Sequence, residues 1–499
     1  MKPSTTNRWV IRIIILVLLA IIIFLFFKCC RCCRPQVRIK KYPDEILVFR
    51  NPDSPYSAFK ASLDHLKAEI AKSGDITDSE YCPTCDSDLV LLKGPGVQIH
   101  IQQAGSGGTG GGTTGGPGGG NAGYYCANLA ITSLDTGKNE VTDTLHLEDT
   151  PRILNPRWKP SRLTNSPVTV AVLDTGLDST DIDKTFVGNF TQTCPGFTGQ
   201  RGWNFIANNS NTYDDHPHRH GTKVTRLILN QVLHYQGLPS SRAGAVNILP
   251  VKVFDTSGLS SLYKILCGVS YAASSGAKII NASFGYYDYT DTTFSRYADT
   301  IVQKYLAHYL RSRNILMIAC AGNAIHYDDS VYRKAIAVPG ANPRNLDSNK
   351  FYPASFVRDS LRDNLLVVTT IYAKDHSISP LQNFSPGVVD VGVNCDAIIH
   401  KPDGDLYVFL DPIQNIINNR FPAVTGSSFA TPIVTGKIAA YYSTLVGAGT
   451  VNKEAILKGM QVLQPEIGSK PLLILSSPGD KLAKFIHKGA ISHKIEGTN

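Results

Sequence analysis

The stretch Val168-Thr169-Val170-Ala171-Val172-Leu173-Asp174-Thr175-Gly176 decides the fold of this chain. Residues 168–173 form a nearly continuous apolar run, as expected of a parallel strand buried on both faces. A carboxylate and a glycine follow at once. Working outward, Ile248 to Phe254, Lys278 to Ser283, Ile315 to Ala321, Ala335 to Val338 and Leu365 to Thr370 read likewise. Between them Leu262, Ile265, Leu266, Val269 and Ala272 share one helical face, and Phe294 to Leu310 and Phe429 to Leu445 are further helix candidates. This alternation over 150–465 predicts an α/β domain around a central, mainly parallel sheet.

Functional groups in open α/β sheets gather at the carboxyl ends of strands. Asp174 stands at such an end, although alone it would read as an Asx-turn residue. His220 opens His-Gly-Thr-Lys-Val ahead of apolar residues at helical spacing (Val224, Leu227, Ile228). The run His216-Pro217-His218-Arg219-His220 also invites a metal reading. Metal sites need three or four ligands with outer support, and no matching Cys/His cluster occurs elsewhere in the sequence. Gly426-Ser427-Ser428-Phe429-Ala430-Thr431-Pro432 sets Ser428 among small residues just ahead of a helical pattern. A helix N-terminus there offers free N–H groups and a favourable dipole to a developing anion; an N-cap is the plainer alternative. Ala319-Cys320-Ala321-Gly322-Asn323 ends a strand with an amide that can donate to a tetrahedral oxyanion.

Taken together, these motifs resemble those of the subtilisin-like serine peptidases (subtilases) over about residues 165–445. The order Asp, His, Ser is that of subtilisin among the triad folds. Ile248 to Val253 is similar to the family's strand after the His helix, and Ser283-Phe284-Gly285 to its substrate-lining segment. The resemblance implies a three-layer subtilisin-like fold, with Asp174, His220 and Ser428 as the triad and Asn323 in the oxyanion hole. It implies that Ser283, Phe284 and Gly285 bind an extended peptide as an added strand. Protein or peptide substrates, no cofactor and no metal for catalysis follow from the same resemblance, with structural calcium left open. Several positions depart from the family pattern. Arg219 stands where Gly often precedes the His, Lys223 replaces a second His, and Thr225-Arg226 replaces Ala-Gly. Ser427 and Phe429 replace Thr and Met beside the nucleophile. None removes a catalytic group. A catalytically silent scaffold on the same fold is the competing reading, and the intact set of four residues speaks against it.

The N-terminal third has other features. The net charge of +9 comes wholly from residues 1–41, which hold nine Lys/Arg and no Asp or Glu; the remainder has 40 basic and 40 acidic residues. The body is neutral, so composition gives no reason to expect nucleic-acid binding. After a short tail (1–8), Trp9 to Phe27 is 19 residues long and apolar except for Arg12, the length of a transmembrane helix. The flank 28–42 is basic and carries Cys29, Cys30, Cys32 and Cys33, candidates for acylation. Six positive residues follow the span against two before it, a bias that predicts a single-pass protein with a cytoplasmic body, the extracytoplasmic side being the alternative. The other seven cysteines are odd in number and scattered, unlike a disulfide framework, which favours a reducing compartment. Cys82-Pro83-Thr84-Cys85 reads as a structural turn.

Segment 43–103 reads as a small α+β unit, unlikely to be very stable alone. It comprises a strand at Glu45 to Phe49, a helix at Ser57 to Ala71 with Phe59, Leu63, Leu66 and Ile70 inward, and strands at Leu89 to Leu92 and Val97 to Ile101. Its pattern and position are similar to the inhibitory propeptides of subtilases. Residues 104–123 contain 12 glycines in 20 and read as a flexible linker with a reach of about 25 Å. A connecting segment (124–149) leads into the peptidase domain (150–465), and 466–499 is a tail.

Overall fold

The computed structural model describes residues 41–82, 88–99, 111–115, 121–133, 167–180, 182, 186–188, 201–236, 246–287, 295–323, 344–358, 361–371, 382–385, 387–394, 426–463 and 473–474. The elements of the first part are β1 (Lys41–Arg50), α1 (Tyr56–Ala71), β2 (Asp78–Tyr81), β3 (Leu89–Lys93), β4 (Gly111–Gly115) and β5 (Asn121–Ser133). Then come β6 (Val168–Asp174), β7 (Trp203–Asn204), α2 (His220–Gln236), β8 (Val246–Lys252), β9 (Leu259–Ser261), α3 (Leu262–Ser274), β10 (Ile279–Ala282), β11 (Phe284–Tyr287), α4 (Ser295–Ser312) and β12 (Leu316–Cys320). The last are β13 (Phe351–Tyr352), β14 (Leu365–Ile371), β15 (Val391–Asn394), α5 (Ser427–Ala440), α6 (Tyr442–Val446), α7 (Lys453–Leu463) and β16 (Leu473–Ile474).

The sheet expected from residues 168–173 is present. Its strand order is β16-β15-β14-β12-β10-β6-β8-β7, parallel throughout except for β16. The two-residue period sends alternate side chains to opposite faces. Val170 and Val172 face Val224, Ile228, Val434 and Ile438 of α2 and α5. Ala171 and Leu173 face Leu262, Leu266, Tyr305 and Leu306 of α3 and α4. Helices on both faces make the three layers that the subtilisin-like resemblance implied, and explain why a strand here cannot alternate apolar with polar.

The small N-terminal unit follows the same logic. Ile46, Val48, Val90 and Leu92 pack on Phe59, Leu63, Leu66 and Ile70 of α1. Their neighbours Leu47, Phe49, Leu89 and Leu91 point the other way and join the core containing α3 and α4. Phe49 meets Tyr305 edge-on, with ring centroids 4.9 Å apart. Both faces are therefore covered, one by the unit's own helix and one by the α/β domain.

Four expectations are corrected. Residues 95–99 form a helical turn, not a strand: Gln98 N–H donates to Gly94 C=O at 3.2 Å, and Pro95 sits where a fixed φ favours a helix start. The Gly-rich stretch is not wholly linker, because β4 and the first residues of β5 lie inside it and pair antiparallel. Residues 124–133 of the connecting segment belong to β5, which also pairs with β1. Composition could not reveal this, since the pairing partner supplies the hydrogen bonds that the glycines cannot replace with packing. The fourth concerns the cysteines. Cys82 and Cys267 form a disulfide across a sequence separation of 185 residues, with Cα atoms 5.5 Å apart. Counting parity says nothing about one isolated bridge, and a bridge weakens the case for a reducing compartment. Cys126 and Cys320 are buried and outside this disulfide. Among the described residues no helix is long and apolar enough to cross a membrane. The span Trp9–Phe27, the acylation candidates, Cys85 and the strand expected at Ala335 to Val338 lie outside the described residues.

Candidate active site

Asp174 is the last residue of β6 and His220 the first of α2. The two meet: His220 Nδ1 lies 2.8 Å from Asp174 Oδ1, and both side chains are buried. A carboxylate can only accept, so Nδ1 is the donor in this contact and Nε2 is the ring nitrogen left for other partners. Asp174 Oδ1 also accepts the Thr175 N–H at 2.7 Å, which fixes the carboxylate plane. The residue after the histidine has to be small. A Cβ on Gly221 would stand 2.3 Å from Gly176 O and 3.0 Å from the Asp174 Cβ. Thr222 ties the start of the helix to a buried acid, its N–H and hydroxyl reaching Asp214 Oδ2 at 2.9 and 2.7 Å. Arg219, just before, adopts φ 46° and bonds Asp178 at 2.7 Å. That left-handed backbone accounts for the glycine often found there in the resembled family. Lys223 and Arg226 are buried, so these departures change the packing of α2.

Ser428 is the second residue of α5, whose second turn contains a proline. Pro432 lies inside the helix and has no N–H for the Ser428 carbonyl four residues back. The Ser283 hydroxyl supplies the missing donor at 2.7 Å. Ser283 Oγ in turn accepts from Asn281 Nδ2 at 2.9 Å, and Asn281 Oδ1 lies 2.8 Å from Thr435 Oγ1. The helix carrying Ser428 is thus pinned to β10 by a buried polar chain. The Ser283 side chain is thus committed to the Ser428 carbonyl, and only its backbone is left for the added-strand contact that the resemblance implies. Gly426 enters the helix at φ 110°, and a Cβ there would stand 3.0 Å from Asn323 Oδ1 and 3.3 Å from Ser428 Oγ. Phe429, one residue on, packs against His220 with centroids 4.9 Å apart. Asp174, His220, Asn323 and Ser428 are therefore brought together.

Asn323 follows β12. Its Oδ1 accepts the Ser427 N–H at 3.1 Å, and Gln382 Oε1 accepts the same N–H at 2.7 Å. The Asn323 amide is thus held through its oxygen at the start of α5. Nearby Cys320 is no rival nucleophile: burial pushes its thiol up to about 12.

Phe284 and Gly285 are already paired along one edge. β5 pairs antiparallel with them, Phe284 opposite Ser133 and Gly285 opposite Thr132. On its other side β5 pairs with β9, Ile131 opposite Ser260. Ile131 is buried and lines an apolar pocket with Leu262, Ile265, Leu266, Phe284 and Leu306. Among the described residues no group of three or more His, Cys, Asp or Glu could hold a metal.

Residues 165–458 match the family model of the subtilases, Peptidase_S8. The chain belongs to the subtilase family. This subtilase is 38% identical over 116 residues to the cell wall-associated protease of Bacillus subtilis (strain 168), covering 23% of this chain and 12% of that one. It is 32% identical over 162 residues to the subtilisin of Bacillus pumilus, covering 32% of this chain and 49% of that one. With the thermophilic serine proteinase of Bacillus sp. (strain AK1) it shares 25% over 272 residues, 54% of this chain and 51% of the relative. Its matches thus span about half or less of the length of these relatives. Among solved structures, the epidermin leader peptide processing serine protease of Staphylococcus aureus aligns with TM-score 0.44 and 16% identity over 84% of this chain and 92% of that one.

Sequence reasoning missed Asn281, Tyr287, Gln382 and Asn383 near the site. Only Asn281 carried a signal: a lone amide in the apolar run Ile279-Ile280-Asn281-Ala282.

Proposed function

We propose that this subtilase is a serine endopeptidase. The buried 2.8 Å contact of His220 with Asp174, beside the helix whose second residue is Ser428, carries the reading. Ser428 Oγ attacks the peptide carbonyl carbon while His220 Nε2 takes its proton. The tetrahedral intermediate collapses, the C–N bond breaks, and His220 returns the proton to the leaving amine. Water then attacks the acyl-serine with His220 again as base, releasing the acid and restoring Ser428. Asp174 orients the imidazole and stabilises its charged form. The Asn323 NH₂ and the Ser428 N–H stabilise the oxyanion, aided by the dipole of α5. No cofactor enters any step. Labelling of the wild type by a fluorophosphonate probe, with casein cleavage, tests this; Ser428→Ala should lose both while keeping its melting temperature. A folded wild type that neither labels nor cleaves makes the protein a silent scaffold and sinks the reading.

The reading extends to the N-terminal unit as an inhibitory segment. Its support is β5, which lies along Phe284 and Gly285 where a substrate strand would add, with Ile131 in the apolar pocket. Substrates matching it would carry an apolar side chain at the same register. The disulfide supports an extracytoplasmic site of action against the charge bias. The membrane tether rests on Trp9–Phe27 alone. Mass spectrometry of the purified wild type checks the processing: absence of any cut between 80 and 165 overturns it.

A further inference from the structure

We propose that Asn383 and Tyr287 are positioning residues that lock the loop carrying Asn323. The inference rests on the endopeptidase reading. Three consecutive carbonyls lead up to and include the oxyanion donor: Ala321, Gly322 and Asn323. Asn383 governs all three. Its side-chain NH₂ donates to Ala321 C=O at 2.9 Å, and its backbone N–H donates to Gly322 C=O at 3.0 Å. The same NH₂ group donates its second hydrogen to the Tyr287 hydroxyl at 2.8 Å, and that hydroxyl donates to Asn323 C=O. Both amide hydrogens of Asn383 are therefore committed to this loop, one directly and one through Tyr287.

The clamp is itself held. Asn383 is fully buried, and its carbonyl accepts from Thr369 Oγ1 of β14 at 2.7 Å. Tyr287 ends β11, and its ring meets Phe351 edge-on at 4.9 Å. Gln382, the residue before Asn383, bridges to Asn323 and accepts the Ser427 N–H. One short segment, 382–383, thus fixes the oxyanion donor's backbone and the first turn of the nucleophile's helix together. Stabilisation of an oxyanion works because the donor is set in place before the charge develops. A displacement of about 1 Å costs on the order of 10²-fold in rate, so a clamp on the peptide carrying Asn323 acts on turnover. Tyr287 also sits on the strand that runs along the peptide-binding edge, which links the substrate wall to the donor. Neither residue touches substrate in this account; both act through Asn323.

The test is a double-mutant cycle on the full chain, with active sites counted by fluorophosphonate titration. Tyr287→Phe keeps the ring and removes only the hydroxyl. It should lower kcat about tenfold and leave KM within about twofold, because the loss appears in the transition state. Asn323→Ala should lower kcat by on the order of 10²–10³, the figure known for subtilisin itself. In the Asn323→Ala background, Tyr287→Phe should change kcat by less than about twofold, since its route of action is gone. A purely structural tyrosine would instead cost the same in both backgrounds. Asn383→Ser repeats the cycle by a second route should Tyr287→Phe fail to fold. Wild-type turnover with an unmoved Tyr287→Phe kcat, or an undiminished effect in the Asn323→Ala background, overturns the clamp alone. An inactive wild type overturns the endopeptidase reading first.

Discussion

Arg219 occupies a backbone conformation that a glycine would adopt without strain, with φ 46° immediately before the histidine. A left-handed turn costs a side-chain-bearing residue about 1 kcal/mol. The arginine recovers part of this through its contact with Asp178, but that guanidinium is 42% exposed, where such pairs contribute about 0–1 kcal/mol. Arg219→Ala loses the contact and keeps the strain; Arg219→Gly loses the contact and relieves it. The glycine variant should therefore be the more stable of the two by about 1 kcal/mol, or about 2 °C in melting temperature. Equal melting points would show that φ at 219 carries no strain. The same scale explains what was legible in the site. Asp174, His220 and Ser428 announce themselves because close approach forces small neighbours around them, as at Gly221 and Gly426. Asn383 and Tyr287 are common residue types acting across 96 positions of sequence, so no local pattern marks them.

At the scale of elements, the parallel strands were readable because burial on both faces leaves a continuous apolar run. The edges were not. β4 is glycine-rich and owes its existence to β5, and the turn at 95–99 follows from Gly94-Pro95 more than from the apolar pair around Val97. The C-terminal helix α7 is tied to the sheet by a different device. Lys453, its first residue, reaches Asp390 Oδ1 at 2.9 Å, while Asp390 Oδ2 accepts the Val367 N–H at 2.8 Å. Burial raises the Asp390 carboxyl above its ordinary value, although Lys453 pulls it down. Lys453→Met removes that pull and strands a buried carboxylate, a loss of about 3 kcal/mol at neutral pH. A folded pKa above the unfolded one means that stability is lost as pH rises through it and regained on acidification. The deficit of Lys453→Met should thus shrink as pH is lowered, measured by denaturant unfolding at neutral and acidic pH. A deficit independent of pH would assign it to lost packing instead.

For the whole molecule, the small N-terminal unit is held by three independent means. The face bearing Leu47, Phe49, Leu89 and Leu91 packs on α3 and α4, β5 threads between β9 and β11, and Cys82 is bonded to Cys267 in α3. The disulfide closes the chain into a loop whose ends are 185 positions apart. A chain cut once between residues 83 and 266 should run as one species on a gel without reductant and as two with it. Two fragments without reductant would exclude the bridge. Such a cut opens a ring without severing it, so the N-terminal unit stays tethered to α3 through Cys82–Cys267 and its re-docking is intramolecular. If the unit inhibits as proposed, its competition with substrate becomes unimolecular, so dilution should not relieve it and latency after the cut should be independent of protein concentration.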